Sequence, residues 1–416
     1  MPAKVGVAFS HWSFLYDVQR ELCSRGLEMR VLIAIDSYKG SLSSIAAGWA
    51  AAEGIRRAIP SAEVLVRPLA DGGEGTVDAL VAGFGGERRV VRVTGPCGRS
   101  VDCAYGIVSA VNEESSSRIC VLEMAGAAGI TLVRPEERNP LVTTTYGVGE
   151  VIRDAIAQGC RRFVVGIGGS ATNDGGVGML QALGFGFHDH EGRPLPSGGA
   201  GLSSLARITT ENVMPELEDC EFRIACDVTS PLCGSSGASA VFGPQKGATP
   251  EMVDSLDAAL SHYADVAISG ERQHVVRSMP GDGAAGGMGF AFRVFLGAEL
   301  VRGVDLILAE TRLEDDVRTA DIVVTGEGRL DAQTVMGKAP IGVAALARKY
   351  GKPVVAFSGC VSSDVAVVNE HGVDAFFPIV PGACSLEDAL YAENARANLT
   401  RTAEQSFRLL EVGRRL

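Results

Sequence analysis

Five apolar runs in this chain lead into a carboxylate, and four of the five loops that follow contain glycine. Ile35 leads into Asp36-Ser37-Tyr38-Lys39-Gly40-Ser41, Ala70 into Asp71-Gly72-Gly73-Glu74-Gly75-Thr76, and Ile167 into the long loop Gly168-Gly169-Ser170-Ala171-Thr172-Asn173-Asp174-Gly175-Gly176. Cys226 leads into Asp227, and Gly326 into Glu327-Gly328-Arg329-Leu330-Asp331. Any one of these is adequately explained as a turn, because Asp and Gly are common turn residues and Asp caps helices. Together they pose an electrostatic problem, since carboxylates converging on one crevice repel unless a cation or a proton-transfer duty holds them there. A nucleotide carrying Mg2+ supplies that cation: magnesium takes oxygen ligands, usually one or two carboxylates with phosphate oxygens and waters.

The Gly168–Gly176 loop lies between a buried apolar run and a helical pattern, so its backbone N–H groups and the helix dipole can cradle a phosphate or carboxylate. Ser170, Thr172 and Asn173 add side-chain donors. Cations for phosphoryl transfer are available at Lys39, Arg329, Lys338 and Lys246, the last in Gly243-Pro244-Gln245-Lys246-Gly247. A lone lysine is ordinarily a solvated surface group, and Lys39 stands apart by lying inside the Asp36 loop. No G-x-x-x-x-G-K-[ST] sequence occurs, so the phosphate site is not an ordinary P-loop. Gly166-x-Gly168-x-x-Ala171 and Gly281-x-Gly283-x-x-Gly286 are loose dinucleotide fingerprints. They keep an NAD(P)-dependent dehydrogenase of a small hydroxy acid as a rival reading, although the second follows Met279-Pro280 rather than a strand.

Positioning these loops requires strands with ligand-facing tips. Residues 31–35, a helix from about Ser43 to Ala58, Val64–Val66 and a helix through Leu80-Val81 read as β-α-β-α, the grammar of a parallel sheet. After about Gly86 the pattern changes to strands at 89–93, 103–108 and 119–123 joined by turns, which favours antiparallel pairing. A helix over 147–157, a buried strand over 163–167, a helix over 176–183 and a strand over 222–225 follow. Alternation returns with a helix around Met288–Leu296, then the apolar runs 306–308, 322–324, 354–357 and 375–377, with helices such as 341–349 between them. The expected fold is therefore α/β with two domains: a doubly wound parallel-sheet domain over 29–86 and 287–416, and a mixed α/β domain inserted at 87–286.

At 416 residues the chain exceeds the ~250–300 residues at which one core usually stops growing, which independently favours two domains. Hydrophobic residues at 46% and charged residues at 21% give a foldable core rather than disorder. A net charge of −12 without a basic run argues against partners such as nucleic acid or an anionic membrane surface. The 10 cysteines show no zinc spacing and read as reduced thiols, and His188 and His190 read as solvated loop residues. No apolar stretch is long enough to span a membrane, and Met1–Glu28 lacks the features of a signal peptide, so a cytoplasmic location is expected. Those 28 residues read as an appendage, and the natural start of translation is expected at Met29, just before the first strand.

Four segments taken together are specific: Val31–Ser44 (VLIAIDSYKGSLSS), Pro68–Leu80 (PLADGGEGTVDAL), Val164–Gly178 (VVGIGGSATNDGGVG) and Ile322–Lys338 (IVVTGEGRLDAQTVMGK). In this order, and with Gly243–Gly247 between them, they resemble the signature segments of the bacterial type-1 glycerate kinases. The likeness runs from about Met29 to the C-terminal region, leaving 1–28 outside it and Ser109–Arg118 as a variable insertion. The resemblance implies a flavodoxin-like domain and a distinct α/β domain with the active site in a cleft between them. It also implies transfer of the ATP γ-phosphate to D-glycerate, usually to 2-phosphoglycerate, with 3-phosphoglycerate the other possible product.

It supplies no residue roles, and chemistry suggests the following ones. Asp227, and after it Asp174, are expected to take the substrate hydroxyl proton. Asp71 and Glu327 are expected to hold magnesium. The loop residues Gly168, Gly169, Ser170, Thr172 and Asn173, with Asp36 and Arg329, are expected to bind glycerate. Lys39, Gly72, Gly73, Lys246 and Lys338 are expected to bind the nucleotide. A monomer or homodimer is expected, and a non-catalytic sensor of sugar acids is the second rival.

Overall fold

Val31–Ile35 is apolar without interruption, which is the pattern of a strand covered on both faces, and these residues form β1 (Arg30–Ile35) with every position after Arg30 buried. The structure is a computed structural model that describes residues 29–70, 73, 75–109, 118–269, 276–311 and 313–414. The segment 1–28, the body of the Ser109–Arg118 insertion, and Asp71 and Gly72 lie outside the described residues.

Along the chain β1 is followed by β2 (Glu63–Val66), then β3 (Glu87–Thr94), β4 (Ser100–Ser109), β5 (Arg118–Glu123) and β6 (Cys160–Gly166). Next come β7 (Gly186–His188), β8 (Arg207–Thr209), β9 (Glu221–Ala225) and β10 (Glu299–Val301), and finally β11 (Ile322–Leu330), β12 (Val354–Val361) and β13 (Ala375–Pro378). The chain divides into two units, one holding the described residues of Met1–Pro68 and Arg312–Leu416, the other those of Leu69–Thr311.

The first unit is a five-stranded, wholly parallel sheet in the order β2-β1-β11-β12-β13. Counted along this unit the order is 2-1-3-4-5, that of a flavodoxin-like doubly wound sheet. The helices Ser44–Ala58 and Ala392–Gly413 pack together over one face, where Thr400 Oγ1 donates to Ala50 O at 3.0 Å. Ile33, Ile35, Ala47, Ala51, Leu399 and Phe407 share that core. The helix Ala339–Lys349 packs on β11 and β12, and Leu32 and Ala34, which alternate with Ile33, are buried as well.

The second unit carries a six-stranded sheet in the order β10-β9-β6-β5-β4-β3. β10, β9, β6 and β5 run parallel, while β4 pairs antiparallel with both β5 and β3, as turns too short for crossovers require. Phe163 stacks on Phe222 with centroids 4.7 Å apart, and Phe292 packs against Phe222 at 5.9 Å. The segments 69–86 and 287–311, expected with the first domain, pack in this unit. The helix Thr76–Phe84 lies on β4 and β5, and the helix Ala284–Leu296 sends Phe290 and Phe292 into the same core as Phe163.

The apolar run Leu306-Ile307-Leu308 is not a strand but the middle of the helix Gly303–Glu310, with Leu306 and Ile307 buried. An isolated apolar triplet has no period that separates strand from helix. The helices Pro250–Ala267 and Ala392–Gly413 and the β7/β8 hairpin had no counterpart in the sequence reading. His188 ends β7 and pairs through Nε2 with Thr209 Oγ1 at 3.4 Å. The described cysteines are free thiols, and no helix among the described residues is long and apolar enough to cross a membrane.

Candidate active site

The loop leaving β6 separates into an exposed lip and a buried foundation. Gly168 and Gly169 are exposed, while Ser170, at 7% exposure, and Ala171 through Gly176 are buried. The lip is stitched to a neighbouring segment through its outer groups, Ile130 N donating to Gly169 O and Ala171 N donating to Ala128 O, at 2.8 and 2.9 Å. Those bonds leave the N–H groups of Gly168, Gly169 and Ser170 without an acceptor among the described residues. Adjacent unpaired amides at the carboxyl end of a parallel strand form an anion-binding concavity.

Asp174 is the keystone of the foundation. Its Oδ2 accepts from Thr145 N and Thr145 Oγ1, both at 2.8 Å, and from Gly178 N at 3.3 Å, while Oδ1 accepts from Gly176 N at 3.2 Å. Burial raises its pKa, and these hydrogen bonds oppose the rise. Asn173 Nδ2 donates to Ser239 Oγ at 2.9 Å, whereas Asn173 Oδ1 and Thr172 Oγ1 are buried without partners among the described residues. From the other side the loop rests on Ala285, Gly286 and Gly287, which take the left-handed conformation in succession at φ 51, 69 and 95°. Gly175 N donates to Gly286 O at 3.0 Å, and a Cβ on Gly286 would overlap Thr172 O.

Lys246 enters beneath the lip. Its side chain is only 2% exposed, and Nζ donates to Ser170 Oγ at 2.8 Å and to Thr172 O at 2.7 Å. Gly247, at φ 92°, lets the turn close against Arg138 O, where a Cβ would collide. Burial without a paired carboxylate among the described residues pushes the Lys246 amine down to about 7, with the charge of Asp174 acting against that shift. Lys246 is therefore placed to hold the loop from behind rather than to meet a ligand at the surface.

In the first unit, the tips of β1 and β11 gather the remaining candidates. Asp36 is buried, its Oδ1 accepting from Ser37 N at 2.6 Å, and Asp36 N donates to Gly326 O at 2.9 Å. Tyr38 donates its hydroxyl to Phe357 O at 2.9 Å, fixing a turn that leaves Lys39 exposed. Glu327 is buried, accepting from Thr334 Oγ1 at 2.8 Å and from Lys338 Nζ at 3.4 Å. Burial raises its pKa, chiefly against the neighbouring Lys338. Arg329 is exposed and pairs with Asp331 at 3.2 Å.

Each Glu327 oxygen carries one donor, a hydroxyl on Oε1 and the Lys338 ammonium on Oε2. Among the described residues no three His, Cys, Asp or Glu side chains gather as ligands. Gly73 is described, its carbonyl accepting from Thr76 Oγ1 at 2.7 Å. Asp227 is exposed, and its Oδ1 accepts from Gly303 N at 2.9 Å, capping the helix Gly303–Glu310. The sequence reading missed Thr145, Ser239 and the Ala285–Gly287 turn. The one signal for the turn in the sequence is the glycine cluster Gly281–Gly289, which also matches a loose dinucleotide fingerprint.

The comparisons with known proteins agree with this architecture. The model of the glycerate kinase family matches residues 31–411. A glycerate kinase of Haemophilus influenzae is 46% identical over 92% of this chain and 99% of its own length, and a glycerate 2-kinase of Escherichia coli is 45% identical over 93% and 99%. The crystal structure of a Salmonella typhimurium LT2 protein described as a glycerate kinase 2 superposes with a TM-score of 0.84 at 45% identity, covering 94% of this chain and 100% of that one. A match at this identity over nearly the whole length leaves the dehydrogenase and sensor readings without support, and the chain belongs to the glycerate kinase family.

Proposed function

We propose that this chain transfers the γ-phosphoryl group of magnesium-bound ATP to D-glycerate in the cytoplasm, acting on small molecules alone as a monomer or homodimer. The observation that carries the site assignment is the lip Gly168–Ser170, whose amides, without an acceptor among the described residues, suit the glycerate carboxylate. Thr172, Asn173 and Asp174 act below it as the framework that keeps those amides aligned. Lys39, Lys338 and Arg329 are the cations available to nucleotide phosphates, at strand ends where ligands of parallel sheets bind. Phosphoryl transfer asks a protein mainly for positioning and charge stabilisation, and each unit by itself offers groups of that kind, amides in the second and cations in the first.

An ADP-release assay tests the reading. ADP should form with D-glycerate and MgATP, and phosphorus NMR of the product identifies the hydroxyl modified. Absence of ADP, with either a change in NADH absorbance or glycerate binding without turnover, would return the dehydrogenase or the sensor.

A further inference from the structure

Transfer to an alcohol needs an acceptor for the hydroxyl proton. Of the two carboxylates expected in that role, Asp174 is sealed under the loop with four donors on its oxygens, and Asp227 is exposed, its Oδ1 accepting from Gly303 N. The Ser170–Lys246 pair is not explained by loop support alone. Thr172 O gives the Lys246 amine one acceptor, but its second contact is a hydroxyl at the edge of the lip, 2.8 Å away, and no carboxylate neutralises it among the described residues. A lysine that has lost its charge becomes an acceptor, and its remaining N–H groups suffice for Thr172 O.

We propose that Ser170 and Lys246 form a proton relay in which the glycerate hydroxyl gives its proton to Ser170 Oγ as Ser170 gives its own to the neutral amine of Lys246. The substrate oxygen forms its bond to the γ-phosphorus, the bond from that phosphorus to the β–γ bridging oxygen breaks, and ADP departs with the electron pair. Lys246 is left as an ammonium and returns its proton to solvent by the reverse path. The relay rests on the placement of the glycerate carboxylate proposed above. With the carboxylate on the Gly168–Ser170 amides, the hydroxyl nearest Ser170 is the one on the adjoining carbon, so the relay selects the 2-hydroxyl. A lysine held at about 7 is available in its neutral form at neutral pH, where a base of matched pKa works best. Among the described residues the charge that acts on it is Asp174 from the same loop, while Arg138 lies beside the Lys246 turn, its Nη1 donating to Gln245 O at 3.5 Å.

The test compares wild type with Ser170→Ala, Ser170→Thr, Lys246→Met, Lys246→Arg and the double variant S170A/K246M, measuring kcat and both KM values in full-length protein from about pH 6 to about pH 9, a window that spans the lysine's titration. Ser170→Ala and Lys246→Met should each lower kcat by ~10²-fold while the glycerate KM stays within about threefold, the signature of a lost proton acceptor. The double variant should be no worse than either single variant, and Ser170→Thr should recover turnover. Lys246→Arg keeps the donors and the charge but cannot accept a proton, so it should also lose kcat. The rising limb of the wild-type kcat profile near neutral pH should vanish from the residual activity of Lys246→Met.

If the single variants instead raise the glycerate KM and leave kcat intact, or if the limb persists without Lys246, the relay is wrong and the lysine only orients Ser170. Ser170→Ala removes a single oxygen and adds no bulk to the buried loop, so its kcat decides the matter even if Lys246 variants misfold. A wild-type protein that releases no ADP with glycerate overturns the functional reading and the relay together, whereas an active enzyme with unaffected Ser170→Ala turnover overturns the relay alone.

Discussion

A buried lysine without a carboxylate partner makes stability depend on pH in a direction opposite to that of a lysine held in an ion pair. In the unfolded chain the Lys246 amine titrates near its ordinary value of about 10.4, whereas in the folded protein it is pushed down to about 7. Between those values the unfolded state holds a proton the folded state lacks, so this residue makes stability rise with pH, by up to about 1.4 kcal/mol per pH unit. Below the folded value both states are protonated, and the full penalty of burying the charge applies. Urea unfolding of wild type and Lys246→Met at about pH 7 and about pH 9, inside that window, should show the wild type gaining relative to the variant as pH rises. Parallel pH dependence would mean that the amine titrates normally. The residue types in the loop and in Gly243–Gly247 were legible in the sequence, but their roles were not. Ser239 meets Asn173 across 66 positions and Thr145 meets Asp174 across 29, and separations of that kind leave no periodic trace. By residue type alone Lys246 reads as a cation for nucleotide, and what distinguishes it in the fold is burial.

Helices and strands were legible where one period ran long enough. Val31–Ile35 and Phe163–Val165 gave strands with loops at their carboxyl ends, and Ser43 before Ser44–Ala58 marked a helix start, its Oγ accepting from Ala46 N at 3.2 Å. Leu306–Leu308 failed because its context, the Asp227 cap and the helix start at Gly303, lies 76 residues away in the case of the cap. The Ala285–Gly287 turn failed for another reason: its conformation answers to a neighbour, since Gly286 must clear Thr172 O. Gly286→Ala therefore forces a side chain into both a left-handed backbone and a collision. It should cost on the order of 1–3 kcal/mol of stability and shift the foundation of the loop. If that foundation serves the acceptor site, the glycerate KM should rise with the ATP KM unchanged in steady-state assays of the folded variant. An ATP KM that rises instead would assign the loop to the nucleotide.

The two units differ in how the chain supplies them, and that difference has a folding consequence. The second unit is one continuous stretch, Leu69–Thr311, whose six-stranded sheet and aromatic core around Phe163, Phe222, Phe290 and Phe292 draw on no strand from elsewhere. The first unit needs both of its pieces, because β11 enters the sheet beside β1, pairing Val31 with Ile322 through Ile35 with Gly326. Without β1 and β2, the strands β11, β12 and β13 would expose an edge and lose the helix Ser44–Ala58, against which Leu399 and Phe407 are buried. A fragment of residues 69–311 should thus unfold in urea in one cooperative transition, with dispersed amide NMR signals. A fragment of residues 312–416 should remain largely unfolded until a peptide covering residues 29–68 is added. Cooperative folding of 312–416 by itself would show that its core does not depend on β1, and a molten 69–311 would show that the large aromatic cluster is insufficient without the rest of the chain.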